Sequence, residues 1–223
     1  MIFSTPRLLA EIRSEIDAVT KITIENGMQH RHLDVASIKE TCPLLASTYQ
    51  EILRWRSVGV SVRRVNEDHL LDGRWVLKKG ALIQMPVRAV HLEPTIWGSD
   101  VDEFNPRRFL KGEKQMTVTG TRPKDSCFRS FGGGKTLCPG RHFATNEVLA
   151  FTSMFVARFD MEPQSGSWLL PTSQNTVAAS VVSTPDVDVA VSVTRRAGLE
   201  DVHWTMTLEE AGKIFALVTE DLE

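Results

Sequence analysis

The sequence predicts a mainly α-helical fold that also carries small antiparallel β-sheets. Apolar residues recur at helical spacing over residues 5–20 and again over residues 43–56. Between residues 60 and 90, runs of β-prone residues alternate with turn signals, of which Asp72-Gly73 is the strongest. Helical and extended segments therefore occupy separate stretches of the chain.

Two main helices are predicted in the first part of the chain. A proline stands near the start of the first apolar pattern, so a helix is expected over residues 5–20. Residues 26–34 are polar and are predicted to form a loop, and residues 37–40 are predicted to form a single short turn. The second helix is expected to begin around Pro43 and to end near Arg56.

Glu51 and Arg54 lie three residues apart on this second helix. That spacing makes them neighbours on one face, where they can form a charge-assisted pair. Solvated pairs of this kind are common and contribute little to stability. The pair is informative because it precedes a strand-rich stretch and then a cysteine segment.

Beyond this helix the chain is predicted to be largely extended or irregular as far as that cysteine segment. A small antiparallel sheet is expected over residues 60–90, with an extended run over residues 81–90. Residues 110–127 are polar and are predicted to form an irregular segment. Further strands are expected over residues 177–182 and 187–193, the second because polar and apolar residues alternate there.

Composition excludes several classes of protein. The 223 residues are 42% hydrophobic and carry a formal net charge of -2, so neither disorder nor nucleic-acid binding is indicated. Three widely spaced cysteines fit neither a disulfide framework nor a zinc site and favour a reducing, intracellular compartment. No apolar run is long enough to cross a bilayer, so we expect no anchor or signal in this chain.

Residues 131–144 hold a glycine-rich loop that leads through Cys138 into a predicted helix. Pro139 suits a first helical position, and the helix is expected to end near Arg158. Its predicted apolar stripe consists of Ala144, Val148, Phe151 and Phe155. A cysteine just ahead of a helix lies at the positive end of the helix dipole, which favours the metal-binding thiolate. Cys138 is therefore the candidate ligand.

Two other interpretations of this segment remain open. Gly134-Lys135-Thr136 could end a phosphate-binding loop, but Arg129 occupies the position where that motif requires a glycine, and Pro139 would fall inside the following helix. Alternatively, the cysteine is a small buried core residue, the commonest role of a free cysteine. His91 could also be a ligand, although a lone histidine is more often a structural residue.

The cysteine segment is similar to the ligand loop of the cytochrome P450 superfamily, whose pattern is Phe, two residues, Gly, three residues, Cys, one residue, Gly. The pattern is filled by Phe131, Gly134, Cys138 and Gly140. Glu51 and Arg54 resemble the Glu-x-x-Arg signature of the family's helix K. Residues 104–109 resemble its Phe-x-Pro-x-Arg-Phe segment.

The resemblance implies the C-terminal, proximal portion of the cytochrome P450 fold. Residues 1–196 would contain helices J, K and L, the haem-ligand loop and small sheets. Residues 197–223 would be an extension of unknown role with a short helix, because Thr207 begins a capping-box pattern. Family members are much longer, so the distal helix with the oxygen-activating residues, and with it the catalytic residues, is expected to lie outside this chain.

The resemblance also implies roles for individual residues. Cys138 would be the axial thiolate ligand of the iron in haem b, iron protoporphyrin IX. Phe131 would pack near the sulfur, and Gly134 would belong to the loop whose amides hydrogen-bond to it. Arg64 matches a position that often donates to a haem propionate, with a solvated strand charge as the equal alternative. The basic residue usual two positions before the cysteine is replaced here by Thr136.

Arg108 would complete a buried ionic triad with Glu51 and Arg54. A guanidinium can bind a carboxylate through two parallel hydrogen bonds, and a buried partner is costly to remove. The implied role of the triad is structural, because it would lock the layer that carries the cysteine loop.

The implied function is a monooxygenase that inserts one oxygen atom from O2 into a small lipophilic substrate, a sterol or a secondary metabolite. Electrons would come from an NADPH-dependent reductase docking near Lys135. A full-length relative would reside at the endoplasmic reticulum membrane through an N-terminal anchor. Two alternatives remain open: a truncated, non-catalytic haem-binding or interaction protein, and a haem-thiolate isomerase or dehydratase.

Overall fold

The computed structural model describes residues 1–110, 125–177 and 180–207 of the chain. Helices occupy α1 Pro6–Val19, α2 Val35–Thr41, α3 Pro43–Arg56, α4 Val87–His91, α5 Pro94–Trp97 and α6 Arg141–Arg158. Strands occupy β1 Lys21–Glu25, β2 Met28–Asp34, β3 Val60–Arg64, β4 His69–Leu71, β5 Trp75–Leu77, β6 Leu82–Pro86, β7 Phe159–Pro163, β8 Val191–Arg195 and β9 His203–Thr207. The predicted helices over residues 5–20 and 43–56 are confirmed.

The loop predicted over residues 26–34 is wrong, because β1 and β2 form an antiparallel hairpin there. Asn26 and Gly27 make its tight turn with φ of 51° and 78°. Two successive positive φ angles define the turn type that matches the twist of a hairpin, and Asn-Gly is its usual sequence. The polar composition of β2 did not indicate a strand, whereas the Asn-Gly turn sequence did indicate a hairpin.

β2 also pairs with β9, and this pairing is parallel. The prediction of antiparallel sheets alone was therefore incomplete. Trp204 of β9 packs against the core, and the guanidinium of Arg31 lies 5.5 Å from the centre of its ring. The first part of the predicted extension thus joins the fold by strand pairing, whereas its predicted helix lies in residues 208–223, outside the described residues.

The small sheet predicted over residues 60–90 is present as two separate antiparallel pairs, β3 with β6 and β4 with β5. Asp72 and Gly73 form the expected tight turn, with φ of 53° and 64°. The extended run predicted to residue 90 ends at Pro86, and α4 follows at once. The described ranges contain residue 110 and residues 125–127 of the predicted irregular segment.

Near the end of the described chain, β7 pairs antiparallel with β8. The strand predicted over residues 187–193 begins later, at Val191. Of the strand predicted over residues 177–182, residues 178–179 lie outside the described residues, and Val182 makes only an isolated bridge to Ser57. β-branched residues alone did not locate these strands, since strand formation depended on a partner.

The main core lies between α1, α3 and α6. Its buried side chains include Ile12 and Ile16 of α1, Leu45 and Tyr49 of α3, and Leu149 and Val156 of α6. The predicted apolar stripe of α6 is not the face that packs in the core, because Val148 is 42% and Phe151 is 68% exposed. α6 carries apolar residues on several sides, so their spacing did not identify the face that packs.

Candidate functional site

The cysteine loop is closed by backbone hydrogen bonds. The N–H of Cys138 donates to the carbonyl of Phe131 at 2.9 Å, and the N–H of Gly132 donates to the carbonyl of Arg129 at 3.0 Å. Gly132 has φ of 86°, and a Cβ there would lie 3.0 Å from the carbonyl oxygen of Thr136. The loop therefore folds back on itself tightly enough to require glycine at this position.

Cys138 lies directly before α6, as the sequence indicated, but the helix begins later than expected. α6 starts at Arg141 with Gly140 as its N-cap, so Pro139 is part of a preceding turn and not the first helical residue. The carbonyl of Cys138 accepts hydrogen bonds from the backbone N–H and the Nη1 of Arg141, at 3.3 and 3.1 Å. These bonds hold the turn that presents the cysteine.

The cysteines differ in their surroundings. Cys42 is fully buried, and burial raises the pKa of its thiol to about 12. Cys138 and Cys127 are half-buried. A Cβ on Gly140 would lie 3.9 Å from the sulfur of Cys138, so the turn passes beside the sulfur at a position that carries no side chain. Cys138 is thus a half-buried residue just ahead of a helix N-terminus, whereas Cys42 lies in the core.

The phosphate-loop alternative loses support from the backbone. That motif needs a strand leading into the glycine-rich loop. Residues 125–130 contain a short 3₁₀ turn and no strand, and residues 134–136 form another 3₁₀ turn. A helix N-terminus is present, but it begins beyond Cys138 and not directly after Thr136.

An arginine lies against the position where Thr136 replaces the usual basic residue. Nη2 of Arg63 donates to the hydroxyl of Thr136, which in turn donates to the carbonyl of Gly133 at 3.2 Å. Arg64 is the next residue of β3, so its side chain leaves the opposite face of the strand, and it is exposed. The structure therefore brings Arg63, and not the predicted Arg64, to the cysteine loop.

Glu51, Arg54 and Arg108 come together in the interior, with exposed fractions of 0%, 0% and 3%. Nε and Nη2 of Arg54 donate to the two carboxylate oxygens of Glu51 at 2.7 and 2.8 Å. Nε of Arg108 reaches both oxygens at 3.1 Å. Glu51 also accepts from the backbone N–H of Asn105 at 3.0 Å. The buried carboxylate is therefore hydrogen-bonded on every side.

Asp100 is a fourth member that the sequence did not reveal. Nη1 and Nη2 of Arg108 donate to its two carboxylate oxygens at 2.9 and 3.0 Å. Burial raises the pKa of Asp100, but the hydrogen bonds and charge of Arg108 outweigh that effect, so the net pKa lies below its usual value. With two arginines and two carboxylates, the network is electrically balanced.

His91, at the end of α4, is completely buried between this network and the cysteine segment. Its Nδ1 lies 3.0 Å from the carbonyl of Arg54, and its Nε2 accepts from the backbone N–H of Arg129 at 2.8 Å. The expectation of a satisfied structural histidine is confirmed. Both ring nitrogens are used by the protein, so His91 has none left for a metal.

The described residues contain no other candidate metal centre. In that part of the chain, no three His, Cys, Asp or Glu side chains are placed to hold a metal ion together. Within the same ranges, none of the helices combines the length and the apolar character that crossing a bilayer requires.

Comparison with known proteins places the chain among relatives of one kind. A family model described as Cytochrome P450 matches residues 1–189. The chain is 36% identical over 220 residues to the cytochrome P450 monooxygenase nodJ of Hypoxylon pulicicidum, covering 97% of this chain and 43% of that protein. A cytochrome P450 monooxygenase of Gibberella zeae is 29% identical over 213 residues, covering 91% and 40%.

A third relative, the cytochrome P450 monooxygenase efuG of Hormonema carpetanum, is 30% identical over 184 residues, which cover 70% of this chain and 32% of that protein. The chain thus spans less than half the length of each of these curated relatives.

Proposed function

Because the chain belongs to the cytochrome P450 family, we propose that Cys138 is the axial thiolate ligand of a haem b in a monooxygenase. The relatives that resemble it over most of its length are named cytochrome P450 monooxygenases. The observation that carries the proposal is the geometry of the loop, which presents one half-buried sulfur immediately before α6. Thiolate ligation is what distinguishes the oxygen-activating haem proteins of this family.

The residues present fit a haem. Porphyrin supplies most of the iron's ligands, so the protein needs to add only one, and the single sulfur of Cys138 meets that need. Gly140 lies beside this sulfur and carries no side chain, although a Cβ there would lie 3.9 Å from it. Positive charge for a propionate is available near the loop from Arg63, which bonds to Thr136.

When bound, haem would supply the activation of dioxygen and the transfer of one oxygen atom to a substrate. The chain's own residues would bind and orient it. Cys138 would supply the protein's ligand to the iron, and the backbone hydrogen bond from Cys138 to Phe131 would hold that residue in place. The ring of Phe131 packs against the main core, and in the proposed site it would limit access of water to the sulfur. Gly134 would present an amide toward the sulfur.

Arg63 is the better candidate for the propionate contact. Arg63 and Arg64 leave opposite faces of β3, so one residue of the pair faces the loop. That residue is Arg63, and its bond to Thr136 puts a fixed guanidinium where the family usually carries a basic side chain in the loop itself. A strand residue would thus replace the missing loop charge.

Family membership supports the remaining parts of the proposal. Residues 1–196 would form the proximal portion of the fold, and Glu51, Arg54 and Arg108 would hold it together. The substrate would be a small lipophilic molecule, and an NADPH-dependent reductase would deliver electrons on the side of Lys135. The relatives' greater length supports a distal part that completes the substrate pocket, and a site at the endoplasmic reticulum membrane is proposed by analogy.

The test is the absorption spectrum of the haem-loaded protein, reduced and bound to carbon monoxide. We expect the Soret band at the long-wavelength position of a thiolate complex, and we expect Cys138→Ala to abolish it. Cys127→Ala is the matched control, because Cys127 is also a half-buried free cysteine, and it should keep the band. A wild-type protein that binds haem without the thiolate band would refute the proposal.

Two further arms separate the details. Arg63→Leu should weaken haem retention more than Arg64→Leu, and the reverse order would return the propionate contact to Arg64. A thiolate band without reductase-dependent oxidation of any lipophilic substrate would instead favour an isomerase or dehydratase.

The exposed apolar side chains of α6, Val148 and Phe151, favour a chain that packs against further protein.

A further inference from the structure

We propose that His91 is a positioning residue that ties the buried ion network to the cysteine loop and thereby holds Cys138 in register as a ligand. The inference rests on the proposed function, because it concerns the thiolate bond. His91 belongs to neither the network nor the loop in sequence, yet it lies between them and is completely buried.

The first link joins His91 to Arg54, and it is reciprocal. Nη1 of Arg54 donates to the backbone carbonyl of His91 at 2.7 Å. In return, Nδ1 of His91 lies 3.0 Å from the backbone carbonyl of Arg54, which can only accept, so this nitrogen carries the proton. The end of α4 is therefore fixed to α3 through one side chain in each direction.

The second link joins His91 to the chain that enters the loop. With Nδ1 protonated, Nε2 is the acceptor, and it receives the backbone N–H of Arg129 at 2.8 Å. The carbonyl of Arg129 accepts from Gly132, and the carbonyl of Phe131 accepts from Cys138, at 3.0 and 2.9 Å. A short series of hydrogen bonds thus connects Arg54 with the backbone of the ligand.

Aromatic contacts fix the orientation of the imidazole ring. The ring of Phe128 stacks on His91 with centroids 5.6 Å apart and an angle of 15° between planes. Trp97 meets it edge to face at 6.1 Å. Because the ring cannot turn without losing both stacking and hydrogen bonds, Nδ1 and Nε2 stay aimed at their separate partners.

The neutral form of His91 is the one that the surroundings favour. Burial, followed by the charges of Arg54 and Arg129, lowers its pKa to about 4, although the bond to the Arg54 carbonyl acts in the opposite direction. A doubly protonated ring could not accept the N–H of Arg129. The link to the loop is therefore intact throughout the neutral pH range.

Loss of the hydrogen bond between Arg129 and His91 should weaken the binding of the Cys138 sulfur to the iron. Without an acceptor at Nε2, the N–H of Arg129 would be left unsatisfied in the interior, and the segment would shift toward another partner or toward water. The backbone from Arg129 to Cys138 would shift with it. The expected consequence is that Cys138 becomes a neutral thiol more easily, while the haem stays bound to the protein.

The experiment uses two substitutions in the haem-loaded protein, each of which can keep one of the two side-chain hydrogen bonds of His91. In His91→Gln the side-chain oxygen can take the place of Nε2 and accept from Arg129. In His91→Asn the amide nitrogen can take the place of Nδ1 and donate to Arg54, but nothing reaches Arg129. We expect the ratio of thiol to thiolate carbon monoxide complexes to rise about tenfold in His91→Asn and to stay near wild type in His91→Gln.

A matched control separates positioning from loss of stability. Thr48 is buried in α3, and its hydroxyl donates to the carbonyl of Leu44 at 2.7 Å within the same helix. Thr48→Val removes a buried hydrogen bond of α3 that has no connection to the loop. We expect both Thr48→Val and His91→Asn to lower the unfolding temperature, but Thr48→Val should leave the thiol-to-thiolate ratio and the haem reduction potential unchanged.

The outcomes are distinguishable. Equal ratios in His91→Asn and Thr48→Val would overturn the positioning role while leaving the wild-type thiolate band, and so the proposed function, intact. Loss of thiolate to the same extent in His91→Gln and His91→Asn would also overturn it, because the link to Arg129 would then not be what matters. A wild-type protein without the thiolate band would instead refute the proposed function.

Discussion

Gly132 and Gly80 have the same backbone angle, φ of 86°, in different surroundings. A Cβ on Gly80 would meet nothing within 4 Å, whereas a Cβ on Gly132 would lie 3.0 Å from the carbonyl oxygen of Thr136. The pair therefore separates the cost of a left-handed backbone from the cost of a close approach inside the loop.

We predict that Gly80→Ala lowers the free energy of unfolding by about 1–2 kcal/mol, the usual cost of a left-handed alanine. Gly132→Ala should cost about 1 kcal/mol more, because the Thr136 carbonyl must move. Urea denaturation of both variants measures the difference.

The two glycines also predict different effects on the loop. Haem uptake should fall in Gly132→Ala and not in Gly80→Ala, since the hydrogen bond from Gly132 to Arg129 belongs to the loop that presents Cys138. If both variants lose stability and haem to the same extent, the close approach to Thr136 is not a constraint on the loop.

Single residues were predictable where a fixed spacing carried the information. Glu51 and Arg54 lie within one helix, so their contact follows from helix geometry alone. Asp100 was not predictable, because it reaches Arg108 only through the fold of the chain between them. The same reason explains why Arg63, and not Arg64, meets Thr136: the phase of β3 is decided by its pairing with β6.

At the scale of elements, the N-terminus of α3 depends on another helix. Its N-cap, Cys42, makes no side-chain cap. Instead, the carboxylate of Glu15 in α1 accepts from the backbone N–H groups of Leu44 and Leu45 at 2.8 and 3.0 Å. Burial raises the pKa of Glu15 above its usual value, and these two hydrogen bonds only partly oppose the effect. α1 thus caps the helix that carries Glu51 and Arg54.

Glu15→Ala is predicted to lower the free energy of unfolding by about 1–2 kcal/mol, because two N–H groups lose their cap. Glu15→Gln should cost less, since its amide oxygen still accepts one of the bonds. Ser14→Ala, at an exposed neighbouring position of α1, should be neutral or slightly stabilising because alanine favours helix. Thermal unfolding of the three variants provides the measurement, and equal values for Glu15→Ala and Ser14→Ala would contradict the cap.

The elements were predictable to the extent that local patterns determined them. α1 and α3 begin at prolines and carry regular apolar spacing, so their bounds followed from sequence. The buried face of α6 could not be predicted, because apolar residues lie on several sides of that helix. The elements packed against α6 decide which side is buried. The parallel pairing of β9 with β2 joins residues far apart in the chain, which no local pattern encodes.

At the scale of the whole molecule, the ion network connects α3 with the segment that follows α5. No β-sheet pairing joins these two stretches of the described chain. Glu51 and Arg54 belong to α3, and Asp100 and Arg108 come from the segment after α5. Arg54 also donates to the carbonyl of Val101 at 3.0 Å. Ion pairs therefore hold these two stretches together, as apolar packing holds α1, α3 and α6 together. Removing one charged side chain leaves a buried charge without its partner.

Neighbouring arginines provide the test of this network. The side chain of Arg108 is 1% exposed, whereas that of Arg107 is 36% exposed and pairs with Glu11 at the surface. Arg108→Ala is predicted to lower the free energy of unfolding by about 3–5 kcal/mol, the cost of breaking a buried ion pair. Arg107→Ala should cost about 0–1 kcal/mol, as for exposed pairs.

Arg108→Lys refines this prediction, because it keeps the charge but not the fork that reaches Glu51 and Asp100 together. Its loss of stability should lie between the other two. Denaturant unfolding of the haem-loaded protein measures all three variants. If Arg108→Ala is no less stable than Arg107→Ala, the network does not hold the segment after α5 against α3, and its apolar neighbours Trp97, Val101 and Phe128 must do so.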